Sequence, residues 1–251
     1  MNDFECQILS NQMVCENTYL LEACCDFESW KPGQFVMVRV NESFLPFLRR
    51  PLGILAYHES KLELLYKVVG NGTRCLSLKK SDEIISVFGP LGNGFRIPAK
   101  DEDVIYVAGG AGLPPILALA EHNKKGKLII GARTKSNIPL MSRIQSIPGV
   151  ETLIVTEDGS IGKKFLATDM LEMVIQDSKH PDIVYACGPP AMLKKTALIS
   201  QSKGIACQVS LEERMACGFG VCTSCIVSTK AGNQRVCREG PVFEAAQIKW
   251  S

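Results

Sequence analysis

The sequence lacks the features that would direct a protein to nucleic acid, to a membrane or out of the cell. Its net charge is only +2 over 251 residues, and no long basic run is present, which argues against nucleic acid binding. The opening residues, MNDFECQIL, do not have the basic and apolar segments of a signal peptide. The most apolar stretches, such as residues 113–120, are far too short to cross a bilayer. We therefore expect a cytoplasmic protein with no nucleic acid or membrane partner.

Internal repeats, low-complexity tracts and a disulfide framework are also lacking. The eleven cysteines are an odd and scattered set for a chain of this length. Six have no ligand-like spacing and are expected to be buried structural thiols: Cys6, Cys15, Cys24, Cys25, Cys75 and Cys207. Free thiols fit a reducing cytoplasm. With 46% hydrophobic and 22% charged residues, the chain should form one large globular domain or two to three small ones.

The most informative pattern that is present consists of four cysteines near the C-terminus, Cys217, Cys222, Cys225 and Cys237. A C-x4-C-x2-C run with a distant fourth cysteine is the spacing of a plant-type [2Fe–2S] site. Gly218 lies within the run and would let the loop turn its sulfurs toward one cluster. Structural zinc or unrelated buried thiols are the alternatives, but zinc sites usually pair cysteines in two separated knuckles. The spacing therefore predicts a one-electron centre.

The rest of the chain divides into two patterns. Up to residue 98, short apolar runs alternate with Gly and Pro, which predicts a small β-barrel. After it, apolar strands alternate with helical segments, which predicts a doubly wound α/β domain with a parallel sheet. We divide the chain into 1–98, 99–210 and a cluster segment 211–251. The predicted strands are 34–40, 62–69, 86–88, 104–108, 128–130, 151–155 and 182–186, and the predicted helices are 116–122, 139–147 and 167–178.

Two glycine-bearing turns directly follow predicted parallel strands. One contains Gly109, Gly110 and Gly112, and the other contains Cys187, Gly188 and Pro189. Such turns bring helix N-terminal amides to a pyrophosphate, so together they predict a dinucleotide crevice. The first turn departs from G-x-G-x-x-G because Pro114 takes the place of the third glycine. Each turn alone is equally compatible with an ordinary tight turn, and Cys187 with a small residue at a strand end.

Three further features have two interpretations each. Arg50, followed by Pro51, could pair with a phosphate bidentately, or Arg49 and Arg50 could be a surface pair before a strand. Residues 67–73 offer a strand end and a glycine turn with backbone amides and a hydroxyl, but alone they predict a hairpin turn. Arg133 could meet the 2′-phosphate of NADP or be a solvated loop arginine, so the choice between NAD and NADP stays open.

Taken together, these residues resemble the ferredoxin-reductase superfamily, in which a flavin-binding barrel precedes a nicotinamide-binding α/β domain. With the cluster motif, nearly the whole chain resembles the electron-transfer (FAD/iron–sulfur) subunits of type 1B dihydroorotate dehydrogenases. The matching segments are Arg50-Pro51, Gly72-Thr73, Gly109–Gly112, Thr156–Ser160, Cys187–Pro189, the cysteine motif and Gly240–Phe243. Order and rough spacing agree throughout.

The resemblance implies a set of cofactor residues. FAD would be held by Arg50, Pro51, Leu52, Gly53, Leu65, Tyr66, Lys67, Gly72 and Thr73, NAD by the two glycine-bearing turns, and the [2Fe–2S] cluster by the four cysteines. The family usually has Ser at the last position of Arg-Pro-x-Ser, where this chain has Gly53, so one hydroxyl contact to the flavin is missing. Hydride exchange between flavin and nicotinamide demands no general acid or base, so we nominate no catalytic side chain. Cys187 beside the nicotinamide is a hypothesis.

The resemblance implies an oxidoreductase subunit in pyrimidine biosynthesis. A catalytic dihydroorotate dehydrogenase partner would oxidise dihydroorotate at its own FMN, and electrons would pass through the cluster and FAD to NAD⁺. The expected assembly is a heterotetramer with two copies of each subunit. An alternative is the same module in a hydrogenase-like or NADH:ferredoxin NADP⁺ oxidoreductase complex. A non-enzymatic metal-binding or regulatory protein is the third alternative, against which the retained flavin-like and nicotinamide-like motifs argue.

Overall fold

The first part of the chain is a closed, six-stranded antiparallel barrel. The computed structural model describes residues 2–41, 45–177 and 180–250. The barrel strands are β1 (Asn2–Cys15), β2 (Thr18–Cys24), β3 (Phe35–Arg39), β4 (Arg50–His58), β5 (Lys61–Lys67) and β6 (Ile84–Leu91). They follow one another around the barrel in the order β1-β2-β5-β4-β3-β6. The helix α1 (Asn71–Ser77) connects β5 to β6.

Side-chain alternation along the strands separates the barrel core from the surface that faces the second domain. On β5, Leu62, Leu64 and Tyr66 fill the barrel core, whereas Leu65 belongs to a cluster shared with the α/β domain. Successive side chains of a strand point to opposite faces, so one strand contributes to two cores. This double burial explains why Leu64, Leu65 and Tyr66 follow one another in the sequence.

The start of α1 corrects one prediction from the sequence. Residues 67–73 alone predicted a hairpin turn, but the chain leaves β5 at Lys67 and enters a helix at Asn71. The Thr73 hydroxyl accepts hydrogen bonds from the backbone N–H groups of Val69 and Gly70. It therefore satisfies amides that precede the first helical turn, as a helix-capping side chain does.

The second part is a doubly wound α/β domain. Its strands are β7 (Val104–Gly109), β8 (Gly126–Ala132), β9 (Val150–Thr156), β10 (Lys163–Lys164), β11 (Ile183–Cys187) and β12 (Ala206–Ser210), and its helices are α2 (Leu113–Asn123), α3 (Met141–Gln145), α4 (Ala167–Asp177) and α5 (Pro190–Ser202). The six strands are parallel, in the order β10-β9-β8-β7-β11-β12. Helices α2 and α3 contribute to the core on one face of the sheet, and α4 and α5 to the core on the other.

This architecture confirms the predicted fold class, while the domain boundaries stay predictions. The helix α3 is shorter than the predicted 139–147, and the predicted end of α4 at Ser178 lies outside the described residues. Of the six cysteines expected to be buried, Cys24 is exposed, and Cys15 and Cys75 are half-buried, so the expectation is wrong for Cys24. Within the described ranges, no helix has the length and apolar character needed to span a bilayer.

The C-terminal segment returns to the sheet after the cysteine motif. A hairpin of β13 (Ile226–Thr229) and β14 (Gly232–Arg235) is followed by β15 (Val242–Glu244). The strand β15 pairs antiparallel with β12 and becomes the edge of a seven-stranded sheet. Phe243 and Ile248 join the same core as α4 and α5. The segment is therefore built into the α/β domain rather than attached to its end.

Candidate functional site

The two glycine-bearing turns meet at the point where the strand order of the sheet reverses. They follow β7 and β11, which are neighbours in the sheet. The strands β8, β9 and β10 continue the sheet on one side of this pair, and β12 continues it on the other. A β-carbon on Gly112 would lie 2.3 Å from the carbonyl carbon and oxygen of Cys187 and 2.4 Å from the amide nitrogen of Gly188. Such a switch point is where doubly wound sheets bind ligands. Glycine at position 112 is needed because one turn lies directly against the other.

Gly110 has a different role in the same turn. Its φ is +53°, and a β-carbon there would have no protein atom within 4 Å. The turn opens into α2, whose second and third residues, Pro114 and Pro115, have no N–H, while the Leu113 N–H donates to the Gly110 carbonyl. The helix therefore offers few free amides here, and it is the open side of Gly110 that lets a phosphate approach the backbone of the turn. The structure brings Gly109, Gly110, Gly112, Cys187, Gly188 and Pro189 together at this edge of the sheet.

Cys187 is a buried, neutral thiol at this edge. It is 1% exposed, and burial raises its pKa well above the ordinary value, with the charge of Glu212 adding to the effect. Glu212, which follows β12, was not singled out from the sequence. Desolvation raises the pKa of its carboxyl group, although the residue is exposed. The Cys187 thiol therefore brings no negative charge to the crevice at neutral pH.

On the barrel side, Arg50 lies across the start of α1. A β-carbon on Gly72 would fall 1.9 Å from the Arg50 Nε and 2.3 Å from its Cζ, so the guanidinium occupies the space that a larger residue would fill. The guanidinium also donates to the Leu48 carbonyl. The first amides of a helix have no partner within the helix. Arg50 and these amides together make a site suited to a phosphate.

The other residues predicted to bind FAD differ in which of their atoms a cofactor can reach. Leu52 and Tyr66 point into the barrel core, where the Tyr66 hydroxyl donates to Asn11 Oδ1 at 3.0 Å. Their backbone, rather than their side chains, is therefore available to a cofactor. The Thr73 hydroxyl is engaged by the amides of Val69 and Gly70. Pro51 is half-buried at the start of β4, and Lys67 is exposed at the end of β5.

Gly53 and Leu65 lie on the outer side of the barrel, toward the α/β domain. A β-carbon on Gly53 would be 3.5 Å from the Pro115 side chain and 3.8 Å from the Pro114 side chain, which are ordinary contact distances. Position 53 therefore has room for the serine that the resembled family usually carries. The missing hydroxyl is not a consequence of crowding.

The four predicted cluster ligands form two pairs. The Cys222 amide donates to the Cys217 sulfur at 3.5 Å, and the Cys237 amide donates to the Cys225 sulfur at 3.4 Å. Across the part of the chain that the structure describes, no three Cys, His, Asp or Glu side chains are grouped to hold one metal ion. Two pairs of thiols suit a [2Fe–2S] cluster, in which two cysteines bind each iron.

The surroundings of these sulfurs favour thiolates in the exposed pair. The hydroxyl and backbone N–H of Ser224 lower the pKa of Cys222 to about 6. Burial raises the pKa of Cys217, but the amides of Cys222 and Phe219 more than offset it, and the pKa is lowered. In the inner pair, burial raises the pKa of Cys237 to about 12. N–H groups aimed at sulfur are also the donors that tune an iron–sulfur cluster.

The cysteine loop rests on the barrel. Gly218 has a φ of +81°, and its β-carbon would lie 2.5 Å from the Met37 Cγ on β3. The Phe219 ring meets Phe88 on β6 edge to face, with 5.8 Å between ring centroids. Glycine at position 218 is thus required by both its backbone angle and the close barrel contact. The cluster ligands therefore stand directly against the domain that carries Arg50.

Arg235 binds the backbone of the cysteine loop and was not predicted from the sequence. Its guanidinium donates to the Gly220 carbonyl at 2.7 Å and pairs with the carboxylate of Glu239. The Arg235 amide also donates to this carboxylate at 2.7 Å. The spacing of the cysteines does not predict a role for Arg235, because the β13–β14 hairpin is what brings this side chain to its partners.

The barrel, the switch-point turns and the paired cysteines define an electron-transfer protein of the ferredoxin-reductase class. A solved NADH-dependent reduced ferredoxin–NADP oxidoreductase superposes with a TM-score of 0.88 at 30% identity, covering 98% of this chain and 90% of that one. A ferredoxin NADP⁺ reductase from Neisseria gonorrhoeae, solved with FAD and NADP, superposes with a TM-score of 0.68 at 17% identity, covering 81% of this chain and 92% of that one. The second likeness supports the fold alone.

Sequence comparison identifies the family. Residues 212–249 match the iron–sulfur cluster binding domain of dihydroorotate dehydrogenase B. The dihydroorotate dehydrogenase B (NAD⁺) electron transfer subunit of Caldanaerobacter subterraneus subsp. tengcongensis is 38% identical over 96% of each chain. That of Desulforamulus reducens is 36% identical over 98% of each chain. This chain therefore belongs to the family of dihydroorotate dehydrogenase B electron transfer subunits.

Proposed function

We propose that this chain is the electron-transfer subunit of an NAD⁺-dependent dihydroorotate dehydrogenase of pyrimidine biosynthesis. A catalytic partner oxidises dihydroorotate at its own FMN, and this chain passes the electrons to NAD⁺. The observation that carries the proposal is the pairing of four cysteines against a barrel that also borders a dinucleotide-type switch point. When bound, FAD accepts single electrons and delivers them in pairs as a hydride, which couples a one-electron cluster to two-electron NAD⁺.

For the flavin, Arg50 and the first amides of α1 hold the pyrophosphate of FAD. Support comes from the Arg50 side chain, which lies over Gly72 at the start of that helix. Pro51, Leu52, Leu65, Tyr66, Lys67 and Thr73 bind FAD mainly through backbone and surface contacts beside it. Gly53 leaves the flavin without a hydroxyl that it meets in most of the family.

For the nicotinamide nucleotide, the turn Gly109–Gly112 receives the pyrophosphate of NAD. The turn Cys187–Pro189 borders the nicotinamide, where the neutral Cys187 thiol adds no charge next to the ring. Cys217 and Cys222 bind one iron of the [2Fe–2S] cluster, and Cys225 and Cys237 bind the other. These assignments follow the observed pairing of the thiols.

The assembly is part of the proposal. The named relatives are electron transfer subunits, so this chain works with a catalytic dihydroorotate dehydrogenase subunit. We further propose that the partner contains FMN, that the complex is a heterotetramer of two of each subunit, and that it is cytoplasmic. The boundaries 1–98, 99–210 and 211–251 separate its FAD, NAD and cluster regions.

The test is NAD⁺ reduction by dihydroorotate in an anaerobic mixture of both subunits, replete with flavins and cluster. The complex should form NADH, and the partner alone should not. A complex with Cys225→Ser should still oxidise dihydroorotate with an artificial acceptor but form no NADH. Cys207→Ser, which changes a buried thiol outside the motif, is the matched control and should behave as wild type. No NADH from a replete complex would refute the proposal.

A second candidate is a subunit of an NADH-dependent ferredoxin–NADP oxidoreductase. The observation that favours it is the TM-score of 0.88 to such a protein over 98% of this chain. The higher identity to dihydroorotate dehydrogenase subunits, up to 38% against 30%, favours the first candidate. Purification of the chain with its native partner separates the two: a partner that oxidises dihydroorotate supports the first, and one that reduces NADP⁺ with ferredoxin supports the second.

A further inference from the structure

One arginine of the α/β domain bridges the two domains beside the proposed cofactor sites. Arg143 on α3 pairs with Glu121 on α2 through two hydrogen bonds, of 2.6 Å from Nε and 2.8 Å from Nη2. Its remaining Nη1 donates to Glu63 on β5 of the barrel. The Glu121 pair lies within the α/β domain. The Glu63 pair crosses between the domains.

All three side chains of the bridge are partly buried. The side chains of Arg143, Glu63 and Glu121 are 28%, 13% and 26% exposed. The hydrogen bonds that Arg143 donates to the carboxylates of Glu121 and Glu63 raise the pKa of Arg143 above its usual range. Half-buried ion pairs with bidentate geometry are screened less by salt than surface pairs and hold a fixed arrangement. Other hydrogen bonds also cross between the domains: Asn137 donates to Glu16 at 3.3 Å, and the Tyr185 hydroxyl donates to the Arg96 carbonyl at 2.8 Å.

Both carboxylates lie on elements that lead into the cofactor sites. Glu63 precedes Leu65, Tyr66 and Lys67 on β5, the strand proposed to border FAD. Glu121 lies on α2, which begins directly after the Gly109–Gly112 turn proposed to receive NAD. A strand and a helix are stiff over such lengths. The Arg143–Glu63 pair therefore connects the flavin strand to α3, and the buried Ile144 of α3 packs in the same core as α2, so this connection does not depend on Glu121.

We propose that Arg143 and Glu63 are positioning residues that set the separation of flavin and nicotinamide for hydride transfer. The inference rests on the proposed function, because it requires both cofactors. In the tested direction, a hydride leaves C4 of NADH with both electrons of the C–H bond and binds N5 of FAD, giving NAD⁺ and the reduced, anionic flavin. Hydride transfer requires near-contact of the two atoms, and a displacement of about 1 Å can cost about a hundredfold in rate.

The experiment compares Glu63→Ala with Glu121→Ala in the flavin- and cluster-replete chain. Each variant removes one carboxylate from Arg143, but only Glu63→Ala removes the ion pair that crosses between the domains. Glu63→Ala also removes the 3.3 Å pair of Glu63 with Lys61 on the same strand. Flavin reduction at saturating NADH is followed by anaerobic stopped flow, with NADH and with NADH deuterated at the transferred position. We expect Glu63→Ala to slow hydride transfer about ten- to hundredfold while keeping a primary isotope effect. Glu121→Ala should stay within about threefold of wild type, because it removes a pair inside one domain.

Further measurements distinguish a change in the separation of the cofactors from general damage to the protein. The flavin content, the cluster spectrum and the flavin potential of Glu63→Ala should match wild type. If Glu63→Ala does not fold, Glu63→Gln keeps the shape and removes the charge, and the same slowing is expected in smaller degree. Equal rates of flavin reduction for the Glu63 and Glu121 variants, or a slowed step without an isotope effect, would overturn this inference but not the proposed function. A wild-type chain that holds FAD but does not react with NADH would overturn the proposed function and this inference together.

Discussion

Gly112→Ala tests whether the two switch-point turns depend on direct contact. The added methyl would lie 2.3 Å from the Cys187 carbonyl, and non-bonded carbon atoms approach to about 3.5 Å, so the turns must part by roughly 1 Å. Because the opposing atoms are backbone, no side-chain rotation can relieve the overlap. Overpacking of this kind costs about 1–3 kcal/mol, and we expect the upper end. For a chain of this size, about 3 kcal/mol lowers Tm by roughly 6–12 °C.

The measurement is thermal unfolding followed by circular dichroism, with Gly110→Ala as the matched control. Gly110 has open space around it, so its alanine variant bears only the strain of a left-handed residue, about 1 kcal/mol. That variant should keep most of its Tm but bind NADH more weakly, because the methyl projects toward the proposed phosphate site. A Gly112→Ala variant that melts within about 2 °C of wild type would refute the contact argument.

Three further predictions concern the flavin and cluster sites. Gly53→Ser should leave Tm unchanged and lower the Kd for FAD about two- to tenfold, as one added hydrogen bond would; an unchanged Kd in a flavin titration of the stripped protein contradicts this. In the iron-free chain, Cys222 has a pKa of about 6, so alkylation of its thiolate should be fast above that pH and should slow as the pH falls below it. A half-maximal alkylation rate near pH 8.5, typical of free cysteine, contradicts this. Arg235→Gln should lower the cluster potential and Glu239→Gln should raise it, because each leaves the partner's charge uncompensated; shifts of the same sign in a redox titration followed by electron paramagnetic resonance exclude charge as the cause.

The sequence predicted the buried parallel strands well because their burial leaves a local trace. The strand β7 is buried along its whole length and reads as a continuous apolar run. By contrast, β1 alternates buried and exposed residues and carries many polar side chains, so it has no such run. The helix α1 was missed because Gly and Asn favour turns locally, whereas the buried Leu76 holds it against the barrel.

Within the candidate site, spacing and placement decide what could be predicted. Three cysteines in one short run carry a strong local signal, but the pairing of Cys225 with Cys237 depends on the intervening hairpin. The bridge from Arg143 to Glu63 joins residues 80 positions apart and involves residue types that are common on any surface. No local pattern distinguishes these side chains from solvated charges. Such contacts become visible only once the barrel and the α/β domain are placed side by side.

The return of the chain as β15 limits how this protein can be divided. Cutting after Ser210 would remove the cysteine loop and also strip β12, whose residues Cys207, Val209 and Ser210 are buried, of its edge partner. A bare edge strand of this kind invites pairing between molecules and aggregation. A simpler flavin–nicotinamide reductase therefore cannot be obtained from this chain by truncation alone.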